Sequence, residues 1–103
     1  MSPPAAKPWF VYLIECTGGS IYTGITTDVA ARYAAHAAGK GARYTRAWPP
    51  LRLLACVEFA DRSAAARAEY ALKQLSAEEK RRFCARHTST LATHGPSGRM
   101  QAD

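Results

Sequence analysis

The chain has 103 residues, 48% of them hydrophobic, which suits one domain around one core and excludes two. Its formal charge of +6 favours an anionic partner. Cys16, Cys56 and Cys84 are odd in number, far apart and without C-x-x-C spacing, which argues against a structural zinc site; Cys16 and Cys56 sit in strand-like runs and read as reduced, buried thiols, and a cytoplasmic protein is expected.

Residues 1–8 contain three prolines and read as a loose lead-in. The opening "MSPPAAKPW" has no apolar core of signal-peptide length, and no run approaches membrane-spanning length, so no membrane association is expected. The first strand is Trp9–Cys16, "WFVYLIEC", and the second is Ser20–Thr26, "SIYTGIT". The Gly18-Gly19 pair between them signals a hairpin, and its loop length sets the parity of the side chains. A two-residue turn pairs Cys16 with Ile21 and sends Tyr12 and Tyr22 to opposite faces. A three-residue loop, Thr17-Gly18-Gly19, with Gly19 left-handed, pairs Cys16 with Ser20. Tyr12 then opposes Gly24, Ile14 opposes Tyr22, and both phenols share a face. The sequence permits both turns.

The period then changes. Thr27 or Asp28 caps a helix that ends at Gly39 and Gly41. "ARYTRAWPP" reads as a loop, "LRLLACVEFA" as a third strand, and "DRSAAARAEYALKQL" as a helix capped by Asp61 or Ser63. Ser76-x-x-Glu79 is a capping-box pattern opening a last helix, and residues 88–103 read as a disordered tail. The order β-β-α-β-α-α predicts an α+β domain over residues 9–87, with a small three-stranded, mainly antiparallel sheet flanked by helices.

Charge is unevenly placed. No acidic residue lies between Asp28 and Glu58, whereas Arg32, His36, Lys40, Arg43, Arg46 and Arg52 all do, interleaved with Tyr33, Tyr44 and Trp48. Cations neutralise phosphates and aromatics stack on bases, so this stretch leans toward nucleic acid rather than a merely solvated loop.

Phe10-Val11-Tyr12 and Tyr22-Thr23-Gly24 on adjacent strands, Arg32 and His36 on the next helix, and Glu69 on a later one form an ordered set over roughly residues 9–85. In this the chain resembles the GIY-YIG nuclease superfamily, and within it the small stand-alone bacterial proteins. The resemblance implies a metal-dependent phosphodiesterase acting on DNA. It implies a single Mg²⁺ or Mn²⁺ held by Glu69, Arg32 on the scissile phosphate, and Tyr12, Tyr22 and His36 around the attacking water. Phe10 stands where the superfamily's name has glycine. The chain has no asparagine, where many cleaving members carry one after the glutamate.

Arg32 and His36, four apart, lie on one helix face, and Val29, Tyr33 and Ala37 form a stripe beside it that can pack on the sheet. This reading holds Arg32 and His36 at the sheet's rim. Ala65, Ala68, Leu72 and Leu75 make a buried stripe with Glu69 at its margin, one turn before Lys73. Either Tyr12, ionised by nearby cations, or His36 can serve as general base. Lys40, Arg43 and Arg46 are expected to hold the DNA backbone, with hydroxyls from Tyr44 and Thr45. Trp48 is a stacking platform or a lid on the core. The expected function is DNA endonuclease action in repair or processing, structure- or strand-selective, by a monomer. The alternatives are a DNA-binding module without turnover, and an adaptor reaching a protein partner through the C-terminal helix or tail.

Overall fold

Thr17-Gly18-Gly19 forms a single 3₁₀ turn between strands β1 (Trp9–Cys16) and β2 (Ile21–Thr26). In this computed structural model, which describes residues 7–87, Gly18 and Gly19 have φ of 82° and 84°. L-residues with a side chain avoid that region. The Cys16 N–H donates to the Ser20 carbonyl at 2.9 Å, closing the three-residue form of the hairpin. Tyr12 accordingly pairs with Gly24, and Ile14 with Tyr22. The parity question resolves in favour of two tyrosines on one face. Most of the lead-in and all of the tail predicted at the termini fall outside the described residues.

The sheet order is β2-β1-β3, antiparallel throughout, with β3 spanning Pro50–Phe59. Pro50 begins β3, where the missing N–H costs least. The register of β3 against β1 shifts between Leu13 and Ile14, a bulge that keeps Leu53 opposite Ile14. β1 is central and covered on both faces, which is why its residues from Val11 to Ile14 are buried without alternation.

Helix α1 is Val29–Ala37, and its Ala31 N–H donates to the Asp28 carboxylate at 3.0 Å. It packs on the face carrying Tyr12, Ile14, Cys16 and Cys56, through Val29 and Tyr33. The other face buries Val11, Leu13, Ile21 and Ala55 against α3 (Arg62–Lys73) and α4 (Ala77–Arg86). The stripe Ala65, Ala68, Leu72 and Leu75 faces this core. Asp61 caps α3 at 2.8 Å, and Ser76 with Glu79 closes the capping box on α4 at 3.1 and 2.8 Å. The cysteines form no disulfide.

One element departs from expectation. Arg43–Ala47, read as loop, is a short helix, α2. Its first turn lacks a side-chain cap. It is held by Arg46 N–H to Ala42 O at 3.2 Å and Trp48 N–H to Tyr44 O at 2.9 Å. Among the described residues no helix is long and apolar enough to cross a membrane.

Candidate active site

The site starts from the hairpin. Tyr12 is 1% exposed, and its ring lies over Gly24 on the neighbouring strand. A Cβ built at Gly24 would stand 2.5 Å from the Tyr12 hydroxyl, so the phenol fills the space that glycine leaves. The Tyr12 hydroxyl and His36 Nε2 are 2.9 Å apart, and His36 Nδ1 lies 2.6 Å from Thr45 Oγ1. The four groups thus come from β1, β2, α1 and α2.

His36 corrects the sequence reading. It is not at the rim of the sheet but 1% exposed, more deeply placed than Tyr33 or Ala37. The reason is tertiary. Gly41 passes so close over the imidazole that a Cβ there would overlap the ring, and Thr45 closes the far side. Thr45 is the second correction. Expected to offer its hydroxyl to DNA, it is 1% exposed, with Oγ1 engaged by His36 and by the Ala42 carbonyl at 3.0 Å. The sequence carried a faint signal for this: "GKGARYT" puts a glycine and a hydroxyl just beyond the histidine.

An aromatic series leads outward. Ring centroids are 5.8 Å apart for Tyr12 and His36, 5.0 Å for His36 and Tyr22, and 5.6 Å for Tyr22 and Tyr44. Tyr22 is partly buried and Tyr44 is exposed, so the series runs from interior to surface. Lys40, Arg43 and Arg46 are exposed, as is Tyr44, and no acidic residue lies between Asp28 and Glu58 in the segment that carries them. Trp48 is 49% exposed and rests on Gly18, against the hairpin turn.

Electrostatics separate the two candidate bases. Burial pushes the Tyr12 phenol up to about 12, and the Arg32 guanidinium beside it only partly offsets this, while Tyr22 and Glu69 add to the rise. Nearby cations therefore do not win, and Tyr12 is a neutral phenol near pH 7. Burial first, and the charge of Arg32 second, hold the His36 imidazole below its ordinary value, so it too is neutral.

Glu69 lies on α3, against the opposite face of the sheet, yet its charge still reaches Tyr12. Its carboxylate is 22% exposed and 3.2 Å from the Lys73 ammonium. Among the described residues no three His, Cys, Asp or Glu side chains converge to hold a metal. A cation held by Glu69 would have one hard carboxylate from the protein, a donor that suits Mg²⁺ or Mn²⁺ with water and substrate oxygens in the rest of the shell. Such a cation would compete with Lys73.

Residues 8–82 match the family profile described as the GIY-YIG catalytic domain. The chain belongs to the GIY-YIG family. Within the family it is 59% identical over 80 residues to a UPF0213 protein of Cupriavidus pinatubonensis, covering 78% of this chain and 89% of that one. It is 49% identical over 78 residues to the UPF0213 protein YhbQ of Escherichia coli, covering 76% and 78%. A solution structure of the UPF0213 protein BH0048 from Bacillus halodurans shares 46% identity, covers 76% of this chain and 83% of that one, and superposes with a TM-score of 0.48. GIY-YIG domains are generally nucleases, and the domain's substrate is nucleic acid.

Proposed function

We propose that this GIY-YIG protein is a divalent-metal-dependent DNA endonuclease, selective for DNA structure or strandedness rather than sequence, acting in DNA repair or processing. The observation that carries this reading is the 2.9 Å contact between two buried neutral groups, the Tyr12 phenol and the His36 imidazole, beside the Arg32 cation.

Hydrolysis of a phosphodiester needs a base for water, a cation for the phosphate, and charge neutralisation as the pentavalent state forms. Arg32 offers a permanently charged fork that matches phosphate oxygens. Tyr12 and His36 act as one unit. A phenol with a pKa of about 12 is ionised in about one molecule in 10⁵ at pH 7, so a free phenolate is not the base. The water proton passes to the phenol oxygen as the pair shifts a proton inward to the imidazole. Tyr22, between His36 and Tyr44, orients the water. Glu69 would hold the cation, which when bound neutralises charge on the scissile phosphate and its leaving oxygen. Lys40, Arg43 and Arg46 grip the backbone without reading bases, which fits selectivity for shape.

The test uses labelled branched, single-stranded and duplex DNA with the wild type, Tyr12→Phe, Arg32→Ala and Glu69→Ala, in Mg²⁺, Mn²⁺ and EDTA. Cleavage lost in all three variants and in EDTA supports the reading. Cleavage persisting in Glu69→Ala overturns it. The absence of any asparagine keeps one second reading in play, a DNA-binding module without turnover, which salt-sensitive binding with no cleavage would establish.

A further inference from the structure

We propose that Thr45 is a positioning residue that fixes His36 in the tautomer with the proton on Nδ1, leaving Nε2 bare to receive the Tyr12 hydroxyl proton. This deepens the hydrolytic reading and rests on it only for its kinetic consequence.

The assignment follows from counting protons along one chain of contacts. Thr45 Oγ1 touches two partners, the Ala42 carbonyl at 3.0 Å and His36 Nδ1 at 2.6 Å. A hydroxyl has one proton to donate and can accept as well. The Ala42 carbonyl can only accept, so the hydroxyl proton goes there. At the 2.6 Å contact Thr45 is then the acceptor, and the proton belongs to Nδ1. A neutral imidazole carries one N–H, so Nε2 is bare, and the 2.9 Å contact is Tyr12 O–H donating to His36. One contact opposes this order. The Ala42 N–H points at the same Nδ1 and would favour a bare nitrogen there, but at 3.5 Å it is far the weaker of the two.

The direction matters for chemistry. With Nε2 bare, the phenol proton points inward and the phenol oxygen turns its lone pairs toward the site. As the water loses a proton to that oxygen, the phenol proton moves to Nε2. The imidazolium so formed keeps its Nδ1–H on Thr45, so no contact has to break. In the opposite tautomer Nε2–H donates to Tyr12, and the imidazole cannot accept. A tautomer fixed by the partner on the far nitrogen is a general device for imidazole bases. Thr45 does not touch the reacting atoms. Its burial at 1% exposure leaves it no other partner in reach among those the structure gives.

Removing the hydroxyl while keeping the shape should release the lock. In Thr45→Val, Nδ1–H has no acceptor, the Ala42 N–H becomes the better partner, and the ring should change tautomer. The experiment is ¹⁵N NMR of protein labelled on histidine nitrogens, at a pH where His36 is neutral, with the signal assigned by a His36→Gln sample. The expected result is a protonated Nδ1 and a bare Nε2 in the wild type and in Thr45→Ser, and the reversed or mixed pattern in Thr45→Val. A protonated Nε2 in the wild type, or an unchanged pattern in Thr45→Val, overturns the proposal. This arm reads the ring directly, so it decides whether or not the protein cleaves DNA. Where cleavage is measurable, Thr45→Val should lower kcat on the order of 10²-fold with KM for DNA unchanged, and Thr45→Ser should recover most of it. Equal losses in Val and Ser, or a loss confined to KM, count against the role.

Discussion

Tyr12 and Gly24 face each other across β1 and β2, and the phenol of one occupies the volume that a side chain on the other would need. Gly24 has no left-handed φ, so its reason is space, not backbone freedom. In Gly24→Ala the new Cβ would stand 2.5 Å from the hydroxyl and 2.7 Å from Cζ of a ring that is 1% exposed. The rigid ring end must move, and with it the contact to His36. We expect a loss of about 1–3 kcal/mol in urea unfolding, together with loss of cleavage beyond what the lowered stability explains. A fully active, equally stable Gly24→Ala protein would show that the phenol's position is not fixed by this contact.

The two glycines of "GKG" have different duties and should fail differently. Gly39 has φ of 78° and open space around it. Gly39→Ala should cost about 1–2 kcal/mol of backbone strain and leave turnover intact. Gly41 has no such φ, but a Cβ there would overlap the His36 imidazole. Gly41→Ala should therefore displace the ring and abolish most cleavage. Thermal unfolding and kcat measured on both variants separate the cases. Similar losses of turnover in both would contradict the division.

The hairpin, the three strands, the caps and the α3 stripe were legible because they are local. Each depends on a short apolar run, a helical spacing, a glycine or a side-chain oxygen within a few residues. The parity of Tyr12 and Tyr22 was legible only as a choice, since two turn types suit "CTGGS" and the strand pairing selects one. α2 was not legible: Arg43–Ala47 is too short to show a period and has no capping side chain. The burial of His36 was hidden for a deeper reason. Its partners lie 24 residues upstream and 9 downstream, and only the packing of α1 between β1 and α2 makes a polar side chain face inward.

The pH dependence follows from two buried groups shifted in opposite directions. His36 is held below its unfolded value, so its stabilising contribution is complete above the ordinary histidine pKa of about 6.5 and is lost as pH falls through the lower folded value. Tyr12 is raised from 10.0 to about 12, so its contribution is complete below 10 and is lost as pH rises from 10 toward 12. Urea unfolding across pH should show a decline on each side of a broad neutral plateau. In Arg32→Ala one of the two causes depressing His36 is gone, and its NMR titration midpoint should move upward, though not fully, because burial remains. A midpoint that stays put would mean that Arg32 does not act on the imidazole.

Lys73 and Glu69 form the remaining lever. Their 3.2 Å contact is an i,i+4 pair on α3 with the lysine half exposed. Such a pair contributes about 0.3–0.5 kcal/mol, so Lys73→Ala should barely change stability. If Glu69 holds the catalytic cation, removing its competitor should lower the Mg²⁺ concentration needed for half-maximal cleavage. Glu69→Gln should raise that concentration or abolish cleavage, because the neutral amide offers a poorer ligand to a hard cation. Calorimetry should find weak Mg²⁺ binding to the protein alone and tighter binding with DNA present, since one carboxylate leaves most of the shell to water and phosphate oxygens. Equal affinity with and without DNA, or a Mg²⁺ requirement untouched by Lys73→Ala and Glu69→Gln, would place the cation elsewhere.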